Sequence, residues 1–387
     1  MLLMTRRNAI RCAAGAAAFA ATAVRRNPCF ALPGSGDYEV TKVERDEMAG
    51  VATTFMQTFE APALSIAIAR HGRTVYREAF GVSNRETGER TSISNLFRIA
   101  SVTKPLTAAA VFILVEQGKI RLEDRVFGKE GILGEKYGTP PYNKYVEDIT
   151  VDHLLTHTCG GWDNGALDPM FLKPSMDQAD LIALIIDKRS LQHPPGTRWA
   201  YSNFGYCLLG RVIEAGSRQS YADFMERAIL APCGVVDMRI AGNTLKQRDA
   251  GEVTYYGQNG EDPYDMNIKR MDSHGGWLAT PEDLVRFASH VDGFNATANI
   301  LKLDTIKKMT TPCSVNEHYA RGWSVNKLGN WWHNGSLPGT TAIMVRTSSG
   351  FCWAALTNTR RQPSDAINLA LDDMVWEMAR KVRSWGL

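Results

Sequence analysis

The pair of residues in this sequence best placed to do chemistry is Ser101 and Lys104, in the stretch Arg98-Ile99-Ala100-Ser101-Val102-Thr103-Lys104-Pro105-Leu106. A serine hydroxyl is a weak nucleophile until a base takes its proton, and a lysine amine becomes such a base when burial lowers its pKa. Pro105 restricts where a helix can begin, because proline is tolerated only in the first turn, where its missing N–H has no intrahelical acceptor. The apolar run from Leu106 to Gly118 then reads as a buried helix starting near Ser101. Ser101 and Lys104 would stand one turn apart on one face. The free N–H groups and positive dipole end of the helix would suit a developing oxyanion. A second Ser-x-x-Lys, Ser324 to Lys327, lies in a strand-like run, where residues three apart face opposite ways. It is a chance match.

Two further stretches carry chemical groups. Pro194-Pro195-Gly196 makes a stiff turn that delivers Tyr201 and Asn203 to the start of the next helix, which Asn203 is placed to cap. A tyrosine hydroxyl beside a lysine can shuttle a proton, and an asparagine amide can bind a substrate carbonyl. The run Trp331-Trp332-His333-Asn334-Gly335-Ser336 reads as a strand end followed by glycines that admit another backbone. His333 is flanked by strands and ranks above His274, which is left as a wall residue. His153 and His157 stand four apart, but Leu154 occupies the position where a zinc hydrolase of that spacing needs glutamate. A structural role is expected for both. There is no Gly-x-Ser-x-Gly elbow, phosphate-cradling loop or dinucleotide fingerprint.

The elements that must hold these groups follow from periodicity and turn signals. A helix is expected from Asp37 to Phe59, then a hairpin of strands Leu64–Arg70 and Thr74–Phe80 around His71-Gly72-Arg73. Helical or irregular signals fill the middle of the chain: Val151–Thr156, Asp177–Lys188, Asn203–Ala215 and Tyr221–Leu230. A helix at Pro281–Val291 precedes strand-like runs at Arg321–Lys327, Trp331–His333, Thr341–Thr347 and Phe351–Asn358, and a closing helix spans Asp365–Arg383. Strands at both ends with helices between predict an α/β fold in which one sheet draws on both termini. The expected division is a sheet lobe of about 37–105 and 265–387, with a mostly helical lobe of about 106–264 inserted.

Composition sets the context. Hydrophobic residues make up 44% and charged residues 22%, values of an ordinary globular chain able to bury a core. Residues 1–31 differ, with five arginines, no acidic residue, an alanine-rich middle and Cys29-Phe30-Ala31 at the exit. This is the layout of an export signal, and the Arg6-Arg7 pair favours the twin-arginine type, giving a periplasmic or secreted protein. A mitochondrial transit peptide is the alternative. Loss of those five arginines would take the net charge from +3 to −2, so the basic balance gives no reason to expect a nucleic-acid partner. Cys159, Cys207, Cys233, Cys313 and Cys352 are scattered without a C-x-x-C and read as small core residues.

Taken in order, Ser101-x-x-Lys104, Tyr201-x-Asn203 and His333-x-Gly335 resemble the three signature elements of the serine β-lactamase and penicillin-binding protein superfamily, nearest to its class C β-lactamase, DD-peptidase and esterase branch. Val151 to Gly161 and Gly275 to Thr280 share the likeness. The resemblance implies an antiparallel sheet flanked by helices, an inserted helical lobe, and a site between them. It implies Ser101 as the acylated nucleophile, Lys104 and Tyr201 sharing the proton transfers, and Asn203 contacting the substrate amide or carbonyl. His333, Gly335 and Ser336 would complete the substrate site, with the N–H groups of Ser101 and Ser336 as the oxyanion hole. No metal or organic cofactor is implied, and no membrane span after processing. One departure matters: β-lactamases usually carry lysine where His333 stands, and a histidine is largely neutral at pH 7 to 8. The expected function is therefore a serine hydrolase of small esters, amides or peptides, of esterase or D-amino-acid peptidase type. The alternatives are a class C-like β-lactamase or DD-carboxypeptidase, and a non-hydrolysing penicillin-binding sensor.

Overall fold

The computed structural model describes residues 40–165, 167–361 and 364–385. The expected leader and the first residues of the expected Asp37 helix lie outside them. Seven strands form one antiparallel sheet: β1 (Ala63–Arg70), β2 (Arg73–Asn84), β3 (Glu89–Arg90), β7 (Ser324–Val325), β8 (Trp331–Leu337), β9 (Thr340–Arg346) and β10 (Phe351–Thr357). Their order across the sheet is β3-β2-β1-β10-β9-β8-β7. Strands from the two ends of the chain meet at β1 and β10, where Leu64 pairs with Thr357 and Arg70 with Phe351. A smaller sheet joins β4 (Phe97–Arg98), β6 (Trp277–Ala279) and β5 (Arg239–Ile240), in that spatial order.

Every residue of β1 is buried, because helices cover both faces of the sheet. Its large side chains Leu64, Ile66 and Ile68 pack with Met48 and Phe55 of α1 (Lys42–Phe59) and with Leu371 and Val375 of α9 (Ser364–Lys381). Its small ones, Ala63, Ala67 and Ala69, belong to the opposite core, with α7 (Pro281–Ser289) and α2 (Thr103–Glu116). Each fully buried leucine or isoleucine contributes about 1.5–3 kcal/mol. Helix α2 is apolar on all sides and accordingly central: every residue from Thr103 to Phe112 is buried. Around it lie α3 (Val151–Leu155), α4 (Gln178–Lys188), α5 (Asn203–Ser217), α6 (Tyr221–Met225) and α8 (Leu303–Thr310).

Several elements depart from the sequence reading, each for a local reason. The first helix starts at Lys42, where Thr41 and Glu44 close a capping box. The Tyr221 helix gives way to a π-helical turn at Glu226–Leu230 before Pro232. The Pro281 helix ends at Ser289, and the run Arg321–Lys327 contributes only Ser324–Val325 to the sheet. Trp331–His333, in contrast, continues through Gly335 to Leu337, so the third motif lies inside a strand and not beyond its end.

Candidate active site

The site forms where β8 passes the turn that precedes α2. That turn is one 3-10 turn at Ala100–Val102, and the α-helix proper begins at Thr103, which leaves Pro105 in its first turn. Ala100 sits at φ 48°, in the left-handed region, and is buried. Such a backbone costs about 1 kcal/mol or more for an L-residue and persists only where its surroundings hold it. Two contacts do so. On one side Arg98, just upstream, is buried against Glu252 at 3.6 Å and stacks on Tyr255 at 4.4 Å. On the other, β8 comes so near that a Cβ on Gly335 would lie 2.1 Å from the Ile99 carbonyl oxygen. Glycine at 335 is thus required by close approach of backbones.

Lys104 is fully buried, and its amine nitrogen has three hydrogen-bond partners: Ser101 Oγ at 3.0 Å, Asn203 Oδ1 at 2.7 Å and the His274 carbonyl oxygen at 3.0 Å. Desolvation lowers the Lys104 pKa well below the usual lysine value, against an opposing pull from Asp168. A neutral amine has two N–H groups and one lone pair. The Asn203 amide oxygen and the His274 carbonyl can only accept, so they take the two N–H groups, and the lone pair is left facing the Ser101 hydroxyl. The set of partners therefore leaves the amine lone pair aimed at Ser101.

Tyr201 lies against both. Its ring is 4.8 Å from the Lys104 nitrogen and its hydroxyl is engaged with the Ser101 side chain. Burial raises the Tyr201 pKa, which keeps the phenol protonated. Asn203 opens α5 but does not cap it. The cap is Ser202, whose Oγ accepts from Gly205 N–H at 2.9 Å and donates to the Trp162 carbonyl at 2.6 Å. That frees the Asn203 amide for Lys104 on its oxygen side and Asp168 on its nitrogen side, at 2.7 Å each.

His333 does not face the cleft. Four hydrogen bonds fix the protons of a buried chain behind Tyr201. Ser202 N–H donates to His157 Nδ1 at 3.1 Å, so the His157 proton is on Nε2 and goes to the Tyr319 hydroxyl at 3.0 Å. Tyr319 then donates to His333 Nε2 at 3.2 Å, and His333 Nδ1–H donates to the Asn334 carbonyl at 2.7 Å. Both ring nitrogens of His333 are taken up inside the protein. Desolvation and the neighbouring Lys104 push its pKa down to about 3, so the ring is neutral. His157, weighed in the sequence only as a partner of His153, packs against Tyr201 with ring centroids 4.3 Å apart and the ring planes tilted by 40°. His153 instead turns to its own helix start, accepting from Thr150 N–H at 3.1 Å.

Ser101, Tyr201 and Asn203 open onto a cleft of about 1330 Å³, whose walls include His274, Asn334 and Ser336. The Ser324-x-x-Lys327 match is far from this chemistry: Lys327 is exposed and pairs with Glu317. Sequence reading missed Asp168, Asn164 and Tyr319, which lie in irregular segments without periodic signal. All five described cysteines are free thiols, four of them buried.

The beta-lactamase family model matches residues 48–373, and the chain belongs to that family. It is 27% identical over 306 residues to penicillin-binding protein 4* of Bacillus subtilis, covering 73% of this chain and 64% of that protein. It is 31% identical over 185 residues to the esterase EstB of Burkholderia gladioli, covering 44% of this chain and 45% of the esterase. The chain thus spans less than two thirds of the length of either relative. Among solved structures, a D-amino acid amidase from Ochrobactrum anthropi SV3 superposes with a TM-score of 0.71 at 20% identity, covering 88% of this chain and 99% of the amidase. At that identity the likeness speaks for the fold.

Proposed function

We propose that this protein is a serine hydrolase that cleaves esters or amides through an acyl-enzyme on Ser101. The observation that carries this reading is the geometry of Lys104, whose three partners leave its lone pair on the Ser101 hydroxyl at 3.0 Å. Lys104 takes the serine proton as Oγ bonds to the acyl carbon. The N–H groups of Ser101 and Ser336, on the turn and on β8, receive the oxyanion. Tyr201, held protonated, hands a proton to the leaving group and recovers one from the lysine ammonium. Water then releases the acyl group by the reverse route. One N–H of the Asn203 amide remains for a substrate carbonyl, since the other goes to Asp168.

With a buried, neutral His333 where β-lactamases carry a lysine, that position offers no cation to a substrate carboxylate, which favours an esterase or D-amino-acid amidase or peptidase over a β-lactamase or DD-carboxypeptidase. The name of one relative, an esterase, and of one structural neighbour, a D-amino acid amidase, agree with this. A binding protein that merely keeps the fold would have no need of a desolvated lysine aimed at a serine. Export follows from the arginine-rich leader, and no helix among the described residues is long and apolar enough to cross a membrane. Replacing Ser101 by Ala should abolish turnover of p-nitrophenyl esters and of D-aminoacyl amides. Retained turnover by Ser101→Ala would refute the assignment.

A further inference from the structure

Trp162, Asn164 and Asp168 hold the second motif at four points. Ser202 donates to the Trp162 carbonyl at 2.6 Å, and Asn164 N–H donates to the Tyr201 carbonyl at 2.8 Å. Asn203 N–H donates to Asn164 Oδ1 at 2.8 Å, and Asn203 Nδ2 donates to Asp168 Oδ2 at 2.7 Å. Three of these are contacts between neutral groups. The fourth is a carboxylate, and its placement is unusual: the nearby Leu167 and Phe171 are 55% and 38% exposed, yet Asp168 turns inward to the amide. Its other oxygen accepts from Met170 N–H at 2.9 Å. Both partners are donors, as an ionised carboxylate requires.

We propose that Asp168 is a positioning residue for catalysis, acting through the Asn203 amide to stabilise the ammonium that Lys104 becomes on taking the Ser101 proton. The three groups form one line, carboxylate to amide nitrogen and amide oxygen to amine. The amide dipole is thereby oriented with its negative end on Lys104. In the step itself the Ser101 O–H bond breaks, its proton goes to the Lys104 lone pair, and Oγ bonds to the acyl carbon. Positive charge then appears on a nitrogen with no access to water, where a fixed carboxylate matters most. The other groups around Lys104 bring no formal negative charge. Tyr201 and Tyr206 present ring faces at 4.8 and 5.6 Å, Ser101 and the His274 carbonyl are neutral, and His157, His274 and His333 are uncharged rings that would oppose the ammonium if protonated. Asp168 is the carboxylate whose charge acts on Lys104.

The proposal rests on the serine hydrolase reading, and the test separates the two. Asp168→Asn keeps the size of the side chain and removes the charge; Asp168→Ser keeps an acceptor for Met170 N–H and serves if the first variant does not fold. Loss of one charge-assisted contact should lower kcat/KM for p-nitrophenyl esters by about tenfold to a hundredfold, mainly in kcat. Without the carboxylate Lys104 holds a proton less firmly, so the acid limb of the pH profile moves to lower pH. A residue that only braces the loop would lower activity or melting temperature and leave the limb where it was, which would overturn the proposal. If turnover persists in Ser101→Ala, the hydrolase reading itself falls. If it requires Ser101 and the limb does not move in the Asp168 variant, only the role of Asp168 falls.

Discussion

Replacing Tyr319 by Phe removes a single oxygen from the middle of the buried chain behind Tyr201, and the structure sets what that must cost. The His157 Nε2–H loses its acceptor and His333 Nε2 loses its donor, at 3.0 and 3.2 Å respectively, with all three side chains buried. The nearby Tyr206 cannot replace the donor that His333 loses, because its own hydroxyl proton goes to the Leu155 carbonyl at 2.9 Å. Each of the two buried groups left without a partner costs about 1–3 kcal/mol, so the substitution should destabilise the protein by about 2–6 kcal/mol. The kinetic effect should follow from the ring of His157, on which Tyr201 rests with centroids 4.3 Å apart. A displacement of the phenol by about 1 Å would lower turnover by about a hundredfold. Urea denaturation at pH 7, together with ester kinetics, tests both. Nitrogen-15 NMR of the imidazoles adds an independent check, since His333 should carry its proton on Nδ1 in the parent. A stability change within about 0.5 kcal/mol, the range of an ordinary surface substitution, with unaltered kinetics would refute the reasoning.

Gly335→Ala would drive a methyl group to within 2.1 Å of the Ile99 carbonyl oxygen, so β8 must withdraw from the Ser101 turn; ester turnover should fall by about a hundredfold or more, while unchanged kinetics would show that the strand does not position the nucleophile. Acid should act on stability through His333. Its folded pKa is depressed to about 3, so the unfolded chain takes up the proton first; the contribution is complete above about pH 6.5 and is lost as pH falls toward 3, at up to about 1.4 kcal/mol per pH unit. His333→Asn should therefore lose less stability than the parent between pH 7 and pH 5, measured by urea titration, and an equal loss would contradict the neutral buried ring.

The sequence was most informative where chemistry and local periodicity coincide. Ser101 and Lys104 are one turn apart whichever helix start is chosen, and Pro105 confines that start to a few residues. The meeting of both chain ends in one sheet was legible in the strand-like runs of β1, β2 and β8 to β10. What could not be read depends on partners distant in sequence. Asn203 looks like a helix cap by type, but the adjacent Ser202 takes that place because its hydroxyl also reaches the Trp162 carbonyl. His333 looked like a substrate contact, yet Tyr319 and the Asn334 carbonyl occupy both its nitrogens. Gly335 reads as a glycine beyond a strand end that admits another backbone; the backbone it admits is that of Ile99, but the strand continues through the glycine to Leu337 instead of ending before it. Asp168 and Tyr319 stand in irregular segments whose course is set by the groups they bind, and no local pattern marks them.

The central claim is that Ser101 is acylated and then freed. Intact mass spectrometry of the protein mixed with an activated acyl ester, followed by peptide mapping, tests it directly. The account predicts one acyl group on Ser101 that appears within the mixing time and disappears as substrate is exhausted. An adduct that never forms, maps to another residue, or stays in place indefinitely would contradict it.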